Sequence, residues 1–335
     1  MENLRQQVLY LVDEERGLKI GVAPQSGGEM CSLQFRWRGD WHELLYRANQ
    51  FDPPEGTWRG RAPFLFPAVG RNYTPDQLKQ VQTSGREERI GSYTYRGVTY
   101  QMPCHGFVMD RPWRVVSAGE SSALTCAISS DAVSRQYYPF DFELSAGYSL
   151  LEGIVNTRVV VSAHPENDDK MFFSLGNHLT LVAPFTEAGE AGSCIIRSPG
   201  RVSLQLSPQS LFSGETTSVD FGAGVRLREY PGLGNFVLGG FPEGECWVEF
   251  IDPASFGLRV SQREVTSESR AQRTSPESYY FVFYSPYQAD EDQRRTFFCP
   301  EPWFGGPNSL NERRGLVFLQ PGEKFIWEMN ISFCS

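Results

Sequence analysis

Ile154-Val155-Asn156-Thr157-Arg158-Val159-Val160-Val161-Ser162-Ala163 places Val, Thr, Val, Val and Ala at its odd positions, with mostly polar side chains between them. A period of two fits an extended strand with one buried face and one wet face, because successive strand side chains point to opposite sides. Lys324-Phe325-Ile326-Trp327-Glu328-Met329 repeats the pattern near the far end of the chain. Short β-rich runs bounded by turn residues recur throughout, among them LYLVD (9–13), CSLQFRW (31–37), ALTCAIS (123–129), FELSAGYSLL (142–151), FGLRVSQ (256–262) and YYFVFYS (279–285). The pattern predicts an all-β protein built of stacked antiparallel sheets.

Helical signals are few. Thr74-Pro75-Asp76-Gln77-Leu78 opens like a helix, with a capping Thr and a Pro at the first helical position, and leads into a polar stretch reaching about Arg89. It reads as a short helix or a mobile insertion over 72–90. Although 335 residues would suit about two domains by length alone, no linker, low-complexity block or fixed repeat divides the strand pattern. One domain over 1–335 is expected.

Composition narrows the partners. Apolar residues make up 40% of the chain and include 24 Phe, enough for a large packed core. A net charge of -9 without any basic run argues against a nucleic-acid partner. The N-terminus, MENLRQQVLYLVDEERGLKI, interrupts its apolar residues with charge and offers no signal or membrane-spanning segment. No membrane association and a cytoplasmic location are expected. Seven widely spaced cysteines without a C-x-x-C pair read as reduced thiols.

Dinucleotide and phosphate loops, H-E-x-x-H and G-x-S-x-G are all missing. The four histidines, His42, His105, His164 and His178, lack zinc-site spacing, so no metal and no cofactor are expected. What remains is polar residues set in apolar or turn-rich runs. His178 follows an apolar stretch within FFSLGNHLTL (172–181) and is either a strand-end histidine satisfied by backbone or a proton donor and acceptor near neutral pH. Glu301 stands between Pro300 and Pro302, beside Trp303, in CPEPWFGGPN (299–308). A surface turn explains the prolines, while burial beside aromatic rings would raise the carboxyl toward the range of a general base. Arg61 and Arg71 bracket APFLFPAVGR (62–71) and are either solvated strand ends or forked donors to a substrate oxygen. Trp113, Trp303 and Phe107 offer flat walls for a sugar ring, or core packing.

Taken in order, these runs resemble the aldose 1-epimerase (galactose mutarotase-like) superfamily, nearest its branch with an A-P-x-L-F-P-x-V-G-R signature, where hexose-6-phosphate 1-epimerases are relatives. APFLFPAVGR, SYTYRGVTYQMPCHGFVMDRPW (92–113), FFSLGNHLTL and PEPWFGGPNSLN (300–311) look like its landmarks, and the resemblance covers nearly the full length. It implies a large antiparallel β-sandwich, the supersandwich, with sugar bound in an open cleft. It further implies His178 as general acid and Glu301 as general base, with Arg71, His105, Asn177 and Trp303 binding substrate. The expected activity is interconversion of the α and β anomers of a hexose or hexose phosphate by acid–base ring opening. The expected partner is a small-molecule sugar or sugar phosphate, and the chain is a monomer or a homodimer. Where galactose mutarotases carry an aspartate for sugar hydroxyls, the run 232–238 places Leu233, which cannot accept a hydrogen bond. Lys79, Arg86 and Arg89 of the insertion are candidates to meet a phosphate, or simply water. A competing reading is a non-catalytic sugar-binding or sugar-sensing protein. A glycoside hydrolase needs two carboxylates flanking the bond, and Glu301 alone stands in such a motif.

Overall fold

The computed structural model describes residues 7–47, 59–86, 88–118, 123–230, 233–273, 278–288 and 294–334. Met1 to Gln6 of the N-terminal reading, Glu87 of the inserted segment and Gly232 lie outside the described residues.

Strand alternation is borne out along Ile154–Ala163 but not along Lys324–Met329, where Phe325 to Met329 are buried in succession because Arg158 and Arg263 cover Glu328 on the expected wet face. Along Ile154–Ala163 the odd positions from Val155 to Ala163 are all buried, and the even positions lie open or half open. The strand pairs antiparallel with Phe142–Leu151 on one side and with Lys324–Cys334 on the other. These three are the middle of a nine-stranded sheet. In order, its strands are Phe221–Arg226, Ile195–Ser198, Trp247–Ile251, Gly257–Glu264, Lys324–Cys334, Ile154–Ala163, Phe142–Leu151, Ala123–Ser129 and Arg114–Ala118.

An eight-stranded sheet faces it. Its path runs Phe212–Ser218, Val202–Leu206, Phe236–Gly239, Tyr279–Tyr284, Thr296–Phe304, Leu175–Asn177 and Phe64–Leu65, and Leu181–Ala183 also pairs with Thr296–Phe304. Smaller sheets of four, three and two strands close the edges among the described residues. Aromatic rings join the layers. Phe325 of the nine-stranded sheet lies 5.1 Å from Phe304 of the eight-stranded sheet and 5.8 Å from Phe173 of the three-stranded one, ring centre to ring centre. Phe250 meets Phe298 across the same interface at 4.8 Å.

Phe325 is wholly buried at this three-way contact. Phe325→Ala is expected to cost about 3–5 kcal/mol, because the lost ring leaves a cavity that rigid sheets cannot close. Urea denaturation checks this; a loss under about 1 kcal/mol would mean that the layers can collapse into the gap.

The segment 72–90 does form a helix, Pro75–Ser84. Thr74 caps it by accepting from the Gln77 N–H, and Gly85 ends it in the left-handed region at φ 65°. Val81 packs with Tyr73 and Leu211, which seats the helix on the body of the protein. Lys79, Arg86 and Arg89 remain exposed. No helix among the described residues is long and apolar enough to cross a membrane.

Candidate active site

One register organises the centre of the eight-stranded sheet. Leu175 pairs with Phe304, Gly176 with Trp303 and Leu181 with Phe298. The residue numbers keep the same sum across both ends, so Thr180 falls opposite Cys299 and His178 opposite Glu301. Side-chain contacts agree with this. The Cys299 thiol donates to Thr180 Oγ1 at 3.5 Å, and His178 Nε2 lies 3.3 Å from Glu301 Oε1. On the other flank Gly176 pairs with Leu65 and Asn177 with Phe64, while the His178 and Thr180 N–H groups donate to Pro63 O and Arg61 O, each at 2.9 Å. His178 is therefore held through its backbone by Pro63 and turns its ring to Glu301.

Glu301 gains its orientation from the strand period. Pro300 and Pro302 occupy alternate positions, so Cys299, Glu301 and Trp303 share one face. The Trp303 indole N–H donates to Glu301 Oε2 at 3.1 Å. The Glu301 side chain is 3% exposed and that of His178 12% exposed, so the pair reaches solvent mainly through the imidazole. Burial pushes the Glu301 carboxyl well above its ordinary range, opposed only in part by the Trp303 donor. Burial, and after it the neighbouring His105, push His178 well below its ordinary value. Both shifts favour uncharged groups.

His105 enters from a separate turn. Its backbone sits at φ 68°, in the left-handed region that non-glycine residues seldom adopt. Gly106 follows at φ 77°, where an added Cβ would stand 2.0 Å from Phe66 O, so only glycine lets this turn approach so closely. The Gly70 N–H donates to His105 Nδ1 at 3.2 Å, leaving Nε2 to carry the proton of the neutral ring. Burial, with Arg71 second, lowers His105 to about 4, so it is neutral at physiological pH. Its ring lies 5.5 Å from His178 and 5.6 Å from Trp303.

His178, Glu301, His105 and Trp303 thus share one site, and Arg71 stands near enough to His105 to act on its charge. Arg71 also donates to Glu88 O at 3.2 Å, tying the site to the far end of the inserted segment. Asn177 is placed differently. It is 1% exposed, and its amide donates to Ala62 O at 2.8 Å, with no side-chain contact to the group of four shown. Arg61 is neither a solvated end nor a cleft donor: it is 3% exposed and its Nε lies 2.5 Å from the buried Glu29 carboxylate. Trp113, Phe107 and Leu233 are core residues. A groove of about 490 Å³ lined by Trp41, His42, Tyr46, Phe185 and Arg295 opens at the other end of the same strand pair and includes none of the four.

Two contributions escaped the sequence reading. Trp303 was expected as a ring wall, yet its N–H holds the carboxylate. Cys299 was read only as a reduced thiol, although its spacing two residues before Glu301 signals a shared face. Among the described residues, donor atoms of His178, Cys299 and Glu301 all lie within 4.8 Å of one another, which makes them the group able to hold a metal ion.

Removing the indole donor isolates its role. Trp303→Phe is expected to slow turnover by about 10–100-fold, the equivalent of about 1.5–3 kcal/mol for a hydrogen bond to a charged group. It should also shift the alkaline limb of the pH–rate profile upward, because the Glu301 carboxylate loses the donor that favours its ionised form. An unmoved limb would leave Trp303 as a packing residue alone.

The family model described as aldose 1-epimerase matches residues 9–332. No curated protein matches the chain. Among solved structures, a galactose mutarotase related enzyme from Lactobacillus acidophilus is 21% identical, with 98% of each chain covered and a TM-score of 0.75. A galactose mutarotase-like protein from Lactobacillus casei is 18% identical, with 98% of this chain and 100% of that one covered and a TM-score of 0.71. The galactose 1-epimerase of Lactobacillus acidophilus NCFM is 13% identical, with 98% of each covered and a TM-score of 0.63. At these identities the structural likeness is one of fold: the chain has the all-β galactose mutarotase-like architecture.

Proposed function

The chain belongs to the aldose 1-epimerase family, enzymes of the isomerase class, and from that premise we propose that it interconverts the α and β anomers of a hexose or hexose phosphate. Ring opening removes a proton from the C1 hydroxyl and delivers one to the ring oxygen. Both oxygens are bonded to the same carbon, so the groups that serve them must stand side by side. The observation that carries the reading is the 3.3 Å contact between His178 Nε2 and Glu301 Oε1, brought together from distant parts of the chain.

In this reading Glu301 takes the hydroxyl proton while His178 gives its own to the ring oxygen, and the C1–ring oxygen bond breaks to give the aldehyde. Rotation about C1–C2 and reclosure, with the roles reversed, deliver the other anomer. The proton count balances within the pair, and no cofactor enters it. The pair works while it holds one proton, which rests on Glu301 when both groups are uncharged and passes to His178 across the 3.3 Å contact before the ring opens. The His105 Nε2–H donates to a sugar oxygen without changing its own charge, and Arg71 supplies a fixed positive charge beside it. Trp303 adds an apolar wall along with its hold on Glu301.

The 6-phosphate of a sugar phosphate would meet the exposed Lys79, Arg86 and Arg89 of the inserted segment. None of the seven cysteines is in a disulfide, which fits a reducing cytoplasm. Anomer exchange measured by NMR with glucose, galactose and glucose 6-phosphate tests the proposal. Acceleration of any one supports it and identifies the substrate class. Absence of acceleration with all three would favour a protein that binds sugar without turning it over.

A further inference from the structure

We infer that His178, Cys299 and Glu301 form a binding site for a thiophilic divalent cation such as Zn²⁺, and that a bound cation blocks the acid–base pair. The inhibitory part rests on the proposed roles of His178 and Glu301; the binding part rests on geometry alone.

Three donors of different kinds, an imidazole nitrogen, a thiol sulfur and a carboxylate oxygen, lie within 4.8 Å of one another. With zinc bonds of about 2.0–2.3 Å in a tetrahedron, neighbouring donors stand about 3.3–3.8 Å apart. The 3.3 Å between His178 Nε2 and Glu301 Oε1 already meets that requirement. The sulfur has at most about 1 Å to close, the difference between 4.8 Å and the upper tetrahedral spacing. Rotation of one side chain can supply it.

The frame holding these donors is rigid. Cys299 and Glu301 share one strand face, and the register of Leu175 and Leu181 against Phe304 and Phe298 sets His178 opposite. Imidazole and thiolate together select zinc and its softer relatives over magnesium or calcium. Three protein donors leave one position of a tetrahedron open. The spacing of Cys299 and Glu301 signals two of the ligands, but nothing local signals the third, because His178 lies far from them along the chain.

The proton transfers proposed above leave the Cys299 thiol unused, its hydrogen directed to Thr180 Oγ1. Burial holds this thiol protonated, well above its ordinary range. A cation must therefore displace the thiol proton together with the one shared by His178 and Glu301, releasing two protons to solvent. Affinity accordingly rises with pH. Once bound, the cation occupies Nε2 and Oε1, the atoms that would exchange protons with sugar, so cation and substrate exclude one another.

Cobalt is the probe, because a Co²⁺–thiolate bond absorbs light and the other donors give no such charge-transfer band. Titration of the wild-type protein with Co²⁺ is expected to give that band at one equivalent, with Zn²⁺ displacing it. Cys299→Ala and Cys299→Ser are expected to lose the band while keeping the circular dichroism spectrum and the rate of anomer exchange. Zn²⁺ should inhibit exchange by the wild type, reversibly by chelator, about 100-fold more strongly than exchange by Cys299→Ala, since even outer partners of a ligand account for about 10–100-fold in affinity. A wild type without the band, or a band that persists in Cys299→Ala, overturns the inference. Should both Cys299 variants misfold, His178→Asn decides: weaker Co²⁺ binding supports the site and unchanged binding overturns it. If no sugar is turned over, the cobalt titration still reads the site. Turnover without a cobalt band removes the site and leaves the enzyme reading intact.

Discussion

Glu301→Gln is expected to slow anomer exchange by about 10²–10⁴-fold, the range that a positioned proton-transfer group contributes. Glutamine keeps the shape of the side chain and can still accept from the Trp303 N–H, but its carboxamide cannot take the hydroxyl proton. Folding should not suffer. The buried Glu301 carboxyl is raised above its ordinary range, so the folded state binds that proton more tightly than the unfolded chain does. Stability is then lost as pH rises from the ordinary carboxylate range through the raised folded value. Glutamine carries no such penalty at neutral pH, and the urea midpoint of the variant is expected to be equal or higher there. NMR exchange rates and urea curves on the same preparation separate the two effects. A rate loss under about tenfold would remove Glu301 from the role of base.

His178→Asn is expected to lose rate by about 10²–10⁴-fold as well, with a change in pH dependence that Glu301→Gln does not share. In the wild type the working pair holds one proton. Below the lower macroscopic pKa it gains a second, on His178, and above the upper one it gives up its only proton, from Glu301. Burial moves the His178 step down and the Glu301 step up. The profile of kcat/KM should therefore show a plateau, with its acid limb below the usual histidine range and its alkaline limb above the usual carboxylate range. Asparagine removes the first limb, leaving at low pH only the fall near 4 where His105 gains a proton. A His178→Asn profile superimposable on the wild type, scaled or not, would show that the acid limb belongs to another group.

These effects rest on side chains that sequence reading could name one at a time but could not bring together. His178 and Glu301 each stood in a run with two readings. Neither reading could be chosen locally, because burial is a property of the packed sheets. Arg61 shows the same limit in the other direction. An arginine beside an apolar run reads as a strand end or a substrate clamp, yet here it pairs with Glu29, which arrives from a strand of the four-stranded sheet. Asn177 lies next to His178 in sequence, but its amide is turned to Ala62 O. Adjacent strand residues face opposite ways, so nearness in sequence carried no information about a shared cleft.

What the sequence determined by itself was local. Alternation along Ile154–Ala163, and the Thr74–Pro75 cap of the helix Pro75–Ser84, follow from side-chain period and backbone preference within a few residues. Those signals suffice for an all-β, antiparallel protein. What only the tertiary structure decided was which strands become neighbours and in what register. That choice is made by burial summed over the whole core, where Phe304, Phe325 and Phe173 lock the layers together. The register sets His178 against Glu301, and the burial that fixes it also shifts both groups toward their uncharged forms.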